Sequence, residues 1–462
     1  MLSNLLRSAG DPNYGKKPHW IVMKTGTNGV GECVTGDSLG NVIVGVTNSA
    51  FGGPSFGITK FNEDGDLQFS KSYGATARQT DPDGGGIAVD SNNNIYLFGK
   101  DRAGSNADIT GLLVKTNSSG VQQWTRELSA DDELAPSGVA VDSNDNVFVI
   151  GLRKRYIATS SPDTSYDAGF ICKYNSSGVL QWQRFLLRNV SLPTYNVTTQ
   201  INGIAIDSSD NVIVSGLNHY GDQGDSGEAL VAKYNNDGTL QWQKFLGDYS
   251  TEDKSQSFSK VGVDSNDNII LSGGTSDIDN NNYLLAAKFN SSGSLQWQKR
   301  LTNSANDAAG GAGRGAAVDS RGDLVWSYQV SDGGGSDTDI LVLKISGADG
   351  SIKWGRQVIT ADFDYTLGTS LDSTQNVLIV GRTNEGSNPA FFFKLQPDGD
   401  GIEENLAGGL WDYRSYTETS ATETLTVNNG VLSSITGDLT SSSVTLSEQT
   451  ESITTTTYTL TT

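Results

Sequence analysis

Short apolar stretches alternate with polar turns along most of the chain, and this alternation repeats at a long period. A typical unit reads GVAVDSNDNVFVIG, in which two apolar runs flank an Asp-Ser-x-x-Asn turn. Alternating apolar and β-branched positions that are bounded by Asn, Asp, Ser and Gly predict β-strands joined by tight turns. The turn aspartate recurs with 52 to 65 residues between copies, at Asp37, Asp90, Asp142, Asp207, Asp264, Asp319 and Asp372.

A second motif runs in phase with the first. Each unit continues with an apolar run that ends in lysine, at Lys60, Lys115, Lys173, Lys233, Lys288, Lys344 and Lys394. A turn such as TNSSG follows, and then a strand that carries an aromatic residue, at Phe69, Trp124, Trp182, Trp242, Trp297 and Trp354. Four strands per unit without helices are typical of a β-propeller blade, with the aromatic rings packed between blades.

The two ends of the repeat region complement each other. No aromatic strand follows Lys394 at the expected spacing, whereas Trp20 precedes Asp37 by nearly the distance that separates Trp124 from Asp142. The segment HWIVMK is therefore predicted to be the outer strand of the last blade. We expect an all-β fold, a seven-bladed β-propeller closed by an N-terminal strand, because closure removes an open sheet edge.

The remaining ends of the chain differ from the ring. From Ser415 to Thr462, 25 of 48 residues are Ser or Thr, and β-branched residues alternate with polar ones there. We expect an N-terminal docking leader at 1–18, the propeller at 19–400, and a small Ser/Thr-rich β extension at 401–462. A disordered linker is the alternative for the extension. Both ends are expected to bind other structural proteins of an assembly, the extension by strand addition.

Charge and composition narrow the range of partners. The net charge is −21, from 32 basic and 53 acidic residues, and it argues against nucleic acid, whose phosphates require clustered Lys and Arg. No apolar run is long enough to predict a membrane-spanning helix, and the first residues do not resemble a secretory signal. The two cysteines, Cys33 and Cys172, cannot build a disulfide framework.

Longer links between strands two and three and between blades are expected on one face, where they vary as binding loops do. The most unusual are Leu152–Asp167, Arg188–Asn202 and Asn218–Glu228. These links hold the candidate binding residues Arg153, Lys154, Arg155, Tyr156, His219 and Tyr220. We expect a contact patch for a protein partner or an anionic surface glycan, and a solvated loop is the alternative.

Catalysis finds little support in the residue types. The chain has only two histidines, His19 and His219, which disfavours a hydrolytic triad and a His-based metal site. Carboxylates that recur in every unit are expected to serve the fold. The Asp-Ser turns lack the sixth-position Gly and the distal Glu of a calcium loop. We therefore predict no catalytic residue, no metal and no cofactor, and a protein that is not an enzyme.

The pattern D-S-x-x-N-V-x-V-x-G followed by x-F-x-x-K-x-N-x-x-G-x-L-x-W resembles the bacterial β-propeller repeat family often called SBBP, over roughly residues 20–396. The resemblance implies a propeller of surface or extracellular proteins and implies no particular activity. The G-x-L-Q-W turn is also similar to the tryptophan repeat of quinoprotein propellers. The chain lacks the adjacent cysteine pair of the quinoprotein alcohol dehydrogenases, so their cofactor is not expected here.

A surface-type propeller with polar extensions and no secretory signal suggests assembly rather than secretion. Our first hypothesis is a non-enzymatic structural protein of a tailed-phage virion, at the tail, baseplate or fibre, that mediates assembly or binds the host surface. The first alternative is a binding propeller on the bacterial cell surface or in the extracellular space. The second alternative is a propeller enzyme that acts on polysaccharide.

Overall fold

The computed structural model describes most of the repeat region and short strands of the extension. The described ranges are 19–25, 30–48, 54–74, 78–103, 109–130, 133–157, 164–188, 197–220, 226–247, 255–276, 282–302, 315–331, 338–359, 364–383 and 390–398, together with eight strands between 404 and 460. The leader predicted at 1–18 lies outside them. Within these ranges, no helix has the length and apolar character needed to cross a membrane.

The described strands form antiparallel units of four consecutive neighbours, which we call blades. Blade 1 contains β2 (Val30–Gly36), β3 (Val42–Asn48), β4 (Ser55–Phe61) and β5 (Leu67–Gly74). Blade 2 contains β6 (Arg78–Val89), β7 (Ile95–Ala103), β8 (Thr110–Thr116) and β9 (Gln122–Ser129). Blade 3 contains β10 (Leu134–Val141), β11 (Val147–Ile157), β12 (Thr164–Tyr174) and β13 (Leu180–Arg188).

The later blades repeat this order of strands. Blade 4 contains β14 (Val197–Ile206), β15 (Val212–Tyr220), β16 (Ser226–Tyr234) and β17 (Leu240–Leu246). Blade 5 contains β18 (Gln256–Val263), β19 (Ile269–Ser276), β20 (Asn282–Phe289) and β21 (Leu295–Thr302). Blade 6 contains β22 (Gly315–Val318), β23 (Leu324–Ser331), β24 (Thr338–Ile345) and β25 (Ile352–Ile359).

Blade 7 is completed by the two ends of the repeat region. It contains β26 (Asp364–Leu371), β27 (Val377–Thr383), β28 (Ala390–Leu395) and, as its fourth strand, β1 (His19–Thr25). The antiparallel register of β1 on β28 runs from Trp20 opposite Lys394 to Lys24 opposite Ala390. The prediction of an all-β propeller closed by an N-terminal strand is therefore confirmed by the strand pairing.

Apolar side chains fill the junction between each blade and the next. In β7, Ile95 and Leu97 face blade 1, whereas Tyr96 and Phe98 face blade 3. Strands that are buried on both faces read as continuous apolar runs, which explains the pattern of the sequence. Blades 7 and 1 meet in the same manner, and the rings of Phe392 and Phe61 lie 5.5 Å apart. The ring of blades is thereby closed by packing as well as by β1.

The first strand of each blade lies nearest the axis, where space is scarce. Register shifts mark β-bulges in these strands, between Gly31/Cys33, Asp81/Gly86, Pro136/Gly138, Ile201/Gly203, Phe258/Lys260 and Thr366/Gly368. A Cβ atom on Gly203 would come within 3.0 Å of the backbone of Lys260 and Val261 in the next blade. Glycine is therefore needed where neighbouring inner strands approach each other most closely.

The C-terminal extension adds a further strand to every blade. Its strands are β29 (Glu404–Leu406), β30 (Trp411–Ser415), β31 (Thr419–Thr422), β32 (Val427–Asn428), β33 (Leu432–Ile435), β34 (Thr440–Ser442), β35 (Ser447–Thr450) and β36 (Thr454–Leu460). The strands β30 to β36 pair with blades 6, 5, 4, 3, 2, 1 and 7 in turn. The predicted β character is confirmed, but these strands lie along the blades, because a segment this polar has no core of its own.

Candidate functional site

Each repeated aspartate accepts hydrogen bonds from its own turn and forms an ion pair with the lysine of its own blade. The Oδ1 atom of Asp142 accepts hydrogen bonds from the backbone N–H groups of Asn144 at 3.0 Å and Asn146 at 2.8 Å. Its Oδ2 atom lies 3.4 Å from Nζ of Lys173. The corresponding Lys–Asp distances in the other blades run from 2.7 to 3.2 Å. These turns lie together on one face of the ring, which we call the turn face.

The same lysines also connect neighbouring blades. Lys115 Nζ donates to the carbonyl oxygen of Ser176 in blade 3, at 3.2 Å. Trp124 Nε1 donates to the same oxygen at 3.1 Å, and its ring packs in the junction between blades 2 and 3. Equivalent indole bonds are made by Trp182, Trp242 and Trp297. The side chain of Trp20 lies outside the described residues, and the buried Nε1 of Trp354 has no hydrogen-bond partner.

The repeated aspartates remain charged because their hydrogen bonds outweigh their burial. Desolvation raises the pKa of Asp207, whereas hydrogen bonds from Lys233 and Asn211 lower it, and the net result lies below the usual 3.8. The net direction is the same for the other six aspartates. These carboxylates are anchored, ionised and repeated, so they serve the fold and are poor candidates for proton transfer.

The candidate binding residues lie in strands rather than in loops, which corrects the sequence-based prediction. Arg153, Lys154, Arg155 and Tyr156 belong to β11, and His219 and Tyr220 belong to β15. The β11–β12 register continues to Ile157 opposite Thr164. The hairpin extends because pairing satisfies backbone polar groups that a loop would leave to water. The side chains of Arg155, Tyr156 and Tyr220 lie outside the described residues.

The two described basic side chains of this group make separate local contacts. The guanidinium of Arg153 lies 5.5 Å from the ring centre of Phe185 in the same blade. Lys154 Nζ lies 3.2 Å from Oε2 of Glu133, and both side chains are about one-third exposed. Neighbouring residues of a strand point to opposite faces, so Arg153 and Lys154 do not form one basic patch.

His219 lies beside a buried polar row near the face opposite the turns, which we call the loop face. Thr199 donates to Oδ1 of Asn218 at 2.7 Å, and Asn218 stands opposite Glu228 in the strand register. All three side chains are buried. Burial lowers the pKa of His219, whose buried Nδ1 atom has no partner. Sequence reasoning overlooked this row, although a polar residue at an apolar position of each strand is a usable signal.

A cavity of about 160 Å³ lies on the axis of the ring. All seven inner strands line it, and its polar side chains are Glu32, Ser137, Asn202, Lys260 and Thr369. Asn202 accepts from Gln200 Nε2 at 2.8 Å and donates to the carbonyl of Phe258 at 3.3 Å. This cavity is comparable to an engineered cavity of about 150 Å³ that admits one six-membered ring.

The axial cavity offers more groups that can bind a small polar ligand than the basic residues of β11 do. Inner strands present sheet edges toward the axis, and sheet edges carry backbone N–H and C=O groups. Glu32 and Lys260 add one negative and one positive charge from blades on different sides of the ring. Cys33 and Cys172 are buried free thiols. Among the described residues, no cluster of three His, Cys, Asp or Glu side chains could hold a metal ion.

No protein-family model and no curated protein matches the chain. Solved structures similar to it include an ulvan lyase of a new polysaccharide lyase family, with 9% identity and TM-score 0.46 over 81% of this chain and 96% of that one. NanB sialidase from Streptococcus pneumoniae, in a mutant form, matches with 11% identity and TM-score 0.41, over 84% of this chain and 73% of that one. The resemblance to the propeller repeat family stays a prediction.

The prediction that the protein is not an enzyme is contradicted by the solved structures to which the chain is similar, which include those of a lyase and a sialidase, both enzymes. That prediction rested on the presence of only two histidines and on carboxylates that recur in every blade. The recurring carboxylates do serve the fold, but they say nothing about residues that occur once. At this level of identity the likeness concerns the fold, and no catalytic residue is transferred to this chain.

Proposed function

We propose that this chain is a carbohydrate-binding β-propeller that takes one sugar ring of a glycan in its axial cavity. The observation that carries the proposal is the cavity itself, which is lined by the edges of all seven blade sheets and by a small set of polar side chains. Ligand sites are typically concave, with a few polar groups that fix the orientation of the ligand. A cavity that admits a single ring suits a monosaccharide unit better than a peptide.

A sugar ring offers hydroxyl groups that both donate and accept hydrogen bonds. Ser137, Asn202 and Thr369 can do both, whereas Glu32 accepts and Lys260 donates. Val139 and Ile204 provide aliphatic surface for the C–H groups of the ring. Because the two charged side chains have opposite signs, the cavity favours a neutral sugar over the anionic glycan expected from the basic cluster.

Binding of the intact protein to a glycan array, followed by calorimetry with the best ligand, tests the proposal. Asn202→Leu and Lys260→Met should each weaken binding by at least about tenfold, the effect of one lost polar contact with a charged or buried partner. Lys154→Met, in the second strand of blade 3 and outside the cavity lining, serves as the matched control and should bind normally. Full binding by both cavity variants would overturn the assignment of the site.

The same array should be monitored for sugar release, because the fold does not exclude catalysis. Release that disappears in Glu32→Gln but not in Lys154→Met would assign a polysaccharide-acting enzyme with its site at the axis. Binding without release would assign a lectin-like role. Both results keep the axial cavity as the carbohydrate site, and release that survives Glu32→Gln would place the reacting groups elsewhere.

For the biological setting we propose a structural component of a tailed-phage virion, with the bacterial cell surface as the alternative. The acidic composition, with a net charge of −21, and the polar C-terminal extension support a role on an exposed particle. Mass spectrometry of purified particles against a washed cell-surface fraction separates the two settings. Detection in neither fraction would contradict both.

A further inference from the structure

The outermost strand of every blade accepts a short antiparallel strand from the C-terminal extension. These pairings are β25–β30, β21–β31, β17–β32, β13–β33, β9–β34, β5–β35 and β1–β36. The strands of the extension therefore follow one another around the rim in the direction opposite to that in which the blades follow one another along the chain. We call residues 411–460 the belt.

In blades 1 to 6, the belt covers only the part of the outer strand that lies nearer the loop face. In β13, the paired residues run from Phe185 opposite Ile435 to Arg188 opposite Leu432, whereas the strand itself begins at Leu180. The contacts that define this register are backbone pairs. Such strand addition derives its affinity from main-chain hydrogen bonds, and side chains contribute mainly specificity. A site of this kind accepts extended polypeptide with little demand on sequence.

The composition of the belt matches a strand held by its backbone. Ser and Thr make up 25 of the 48 residues from Ser415 to Thr462, and that segment contains no Lys, Arg or Pro. Proline would remove a backbone donor, and lysine on an edge strand opposes pairing, so the absence of both suits strand addition. β-Branched threonine also favours the extended conformation.

We propose that the rim of the propeller is a series of β-strand acceptor sites, and that the belt of a second copy of this chain is the partner that these sites fit. The belt of the same chain already shows the fit. Exchange between two copies recreates the same pairs, so it costs little beyond bringing two molecules together. The balance between the two arrangements is therefore set by protein concentration against the effective concentration of the tethered belt.

The outer strand β1, at which the ring closes, should determine whether a copy binds its own belt or the belt of another copy. The β36–β1 pairing extends over seven residue pairs, from His19 opposite Leu460 to Thr25 opposite Thr454. The other belt strands pair over two to four residues each. Short pairings open more readily than long ones, so exchange should be controlled by release of β36. Exchange at β36 joins two copies directly at the point where each ring closes.

Disulfide trapping in the full-length protein tests this proposal. In the register of β1 on β36, Val22 stands opposite Thr457, and Met23 stands opposite Thr456. Antiparallel neighbours alternate between hydrogen-bonded and closer non-hydrogen-bonded pairs, so one of the two positions suits a disulfide. Chains with both cysteines of a pair, Val22→Cys with Thr457→Cys or Met23→Cys with Thr456→Cys, report pairing within one copy. Mixtures of single variants, refolded together, report pairing between copies.

We expect single-variant mixtures to form covalent dimers whose fraction rises with protein concentration during refolding. The matched control combines Val22→Cys with Thr440→Cys, since Thr440 pairs with Ser129 in blade 2 and should not reach β1. Cross-links confined to the double variants at every concentration would overturn exchange between copies. Absence of cross-links in the double variants, with circular dichroism showing folded protein, would overturn the acceptor site at β1.

Discussion

Lys394 Nζ lies 3.4 Å from the carbonyl oxygen of Glu63, a contact that spans 331 residues of sequence. The same ammonium lies 2.9 Å from Oδ2 of Asp372 in its own blade. Lys344 makes the equivalent pair of contacts one junction earlier, with Asp319 at 2.8 Å and with the carbonyl of Pro397 at 2.9 Å. The junction between the two ends of the repeat region is therefore built like the junctions inside it.

Replacing the seam lysine should destabilise the whole ring. Lys394→Met leaves the carboxylate of Asp372, whose side chain is fully buried, without its cation. Loss of one partner of a buried ion pair costs about 3–5 kcal/mol in free energy of unfolding. Lys154→Met is the control, because Lys154 and its partner Glu133 lie 3.2 Å apart and are both about one-third exposed. Urea denaturation should show a much smaller loss for the control, and equal losses would rule out burial as the cause.

Acid should destabilise the protein below about pH 4, which is the pKa of an unperturbed aspartate. Each repeated aspartate has a lowered pKa when folded, so the unfolded chain binds protons more readily. Their contribution is complete above the pKa of the unfolded chain and is lost as the pH falls through the folded pKa. Each aspartate adds up to about 1.4 kcal/mol per pH unit.

Urea midpoints between pH 7 and pH 2.5 measure this dependence. We expect a plateau at the upper end and a steep fall below pH 4. Asp90→Asn removes one of the seven titrating groups and should make the fall shallower, although the variant is less stable at pH 7. A stability that is constant down to pH 3 would contradict the balance of hydrogen bonds over burial at these sites.

The ring and its seam were predictable because the same physical requirements recur in every blade. Each blade needs a turn aspartate, a lysine and an aromatic residue at fixed spacing, so Trp20 near one end and Lys394 near the other identify one shared blade. The β character of the extension followed from its alternation of residue types. The location of its strands did not, because backbone pairing along a rim leaves no pattern in the side chains.

The candidate site was harder to predict, since it depends on distances across the ring. Glu32 and Asn202 each lie five residues before the turn aspartate of their blade, and Lys260 lies four residues before Asp264, but the residue type at these positions changes from blade to blade. The basic cluster near Arg153 was predicted to lie in a binding loop because of its charge, but these residues lie in the paired strands of an extended hairpin. The composition of a segment indicates whether that segment is charged, polar or apolar. A cavity on the axis depends on how all seven inner strands are arranged, which the composition of one segment does not indicate.

Tryptophan-to-phenylalanine substitutions separate ring packing from the indole hydrogen bond. Trp182 Nε1 donates to the carbonyl of Asn236 at 2.9 Å, whereas the buried Nε1 of Trp354 has no partner. Both rings pack against a junction between blades. Trp182→Phe should therefore cost about 0.5–1.5 kcal/mol more than Trp354→Phe, the net value of one hydrogen bond. Thermal unfolding measures both, and an equal or larger loss for Trp354→Phe would show that packing alone decides.

The fourth residue of each Asp-Ser turn provides the last prediction, because its backbone is left-handed in every blade. Asp210 has φ of 60° and accepts a hydrogen bond from the backbone N–H of Ser143 in blade 3 at 2.9 Å. Glycine occupies this position at Gly40 and Gly322, also with positive φ. The position therefore combines a conformational requirement with a bond between blades.

Asp210→Asn should leave the free energy of unfolding nearly unchanged, since asparagine tolerates the left-handed region and keeps the accepting oxygen. Asp210→Val should cost about 1–3 kcal/mol, because a β-branched residue is strained at positive φ and the bond to Ser143 is lost. Asp210→Gly should fall between the two, since it relieves the strain but not the lost bond. Urea denaturation of the three variants checks this order, and a valine variant as stable as the asparagine variant would contradict the left-handed turn.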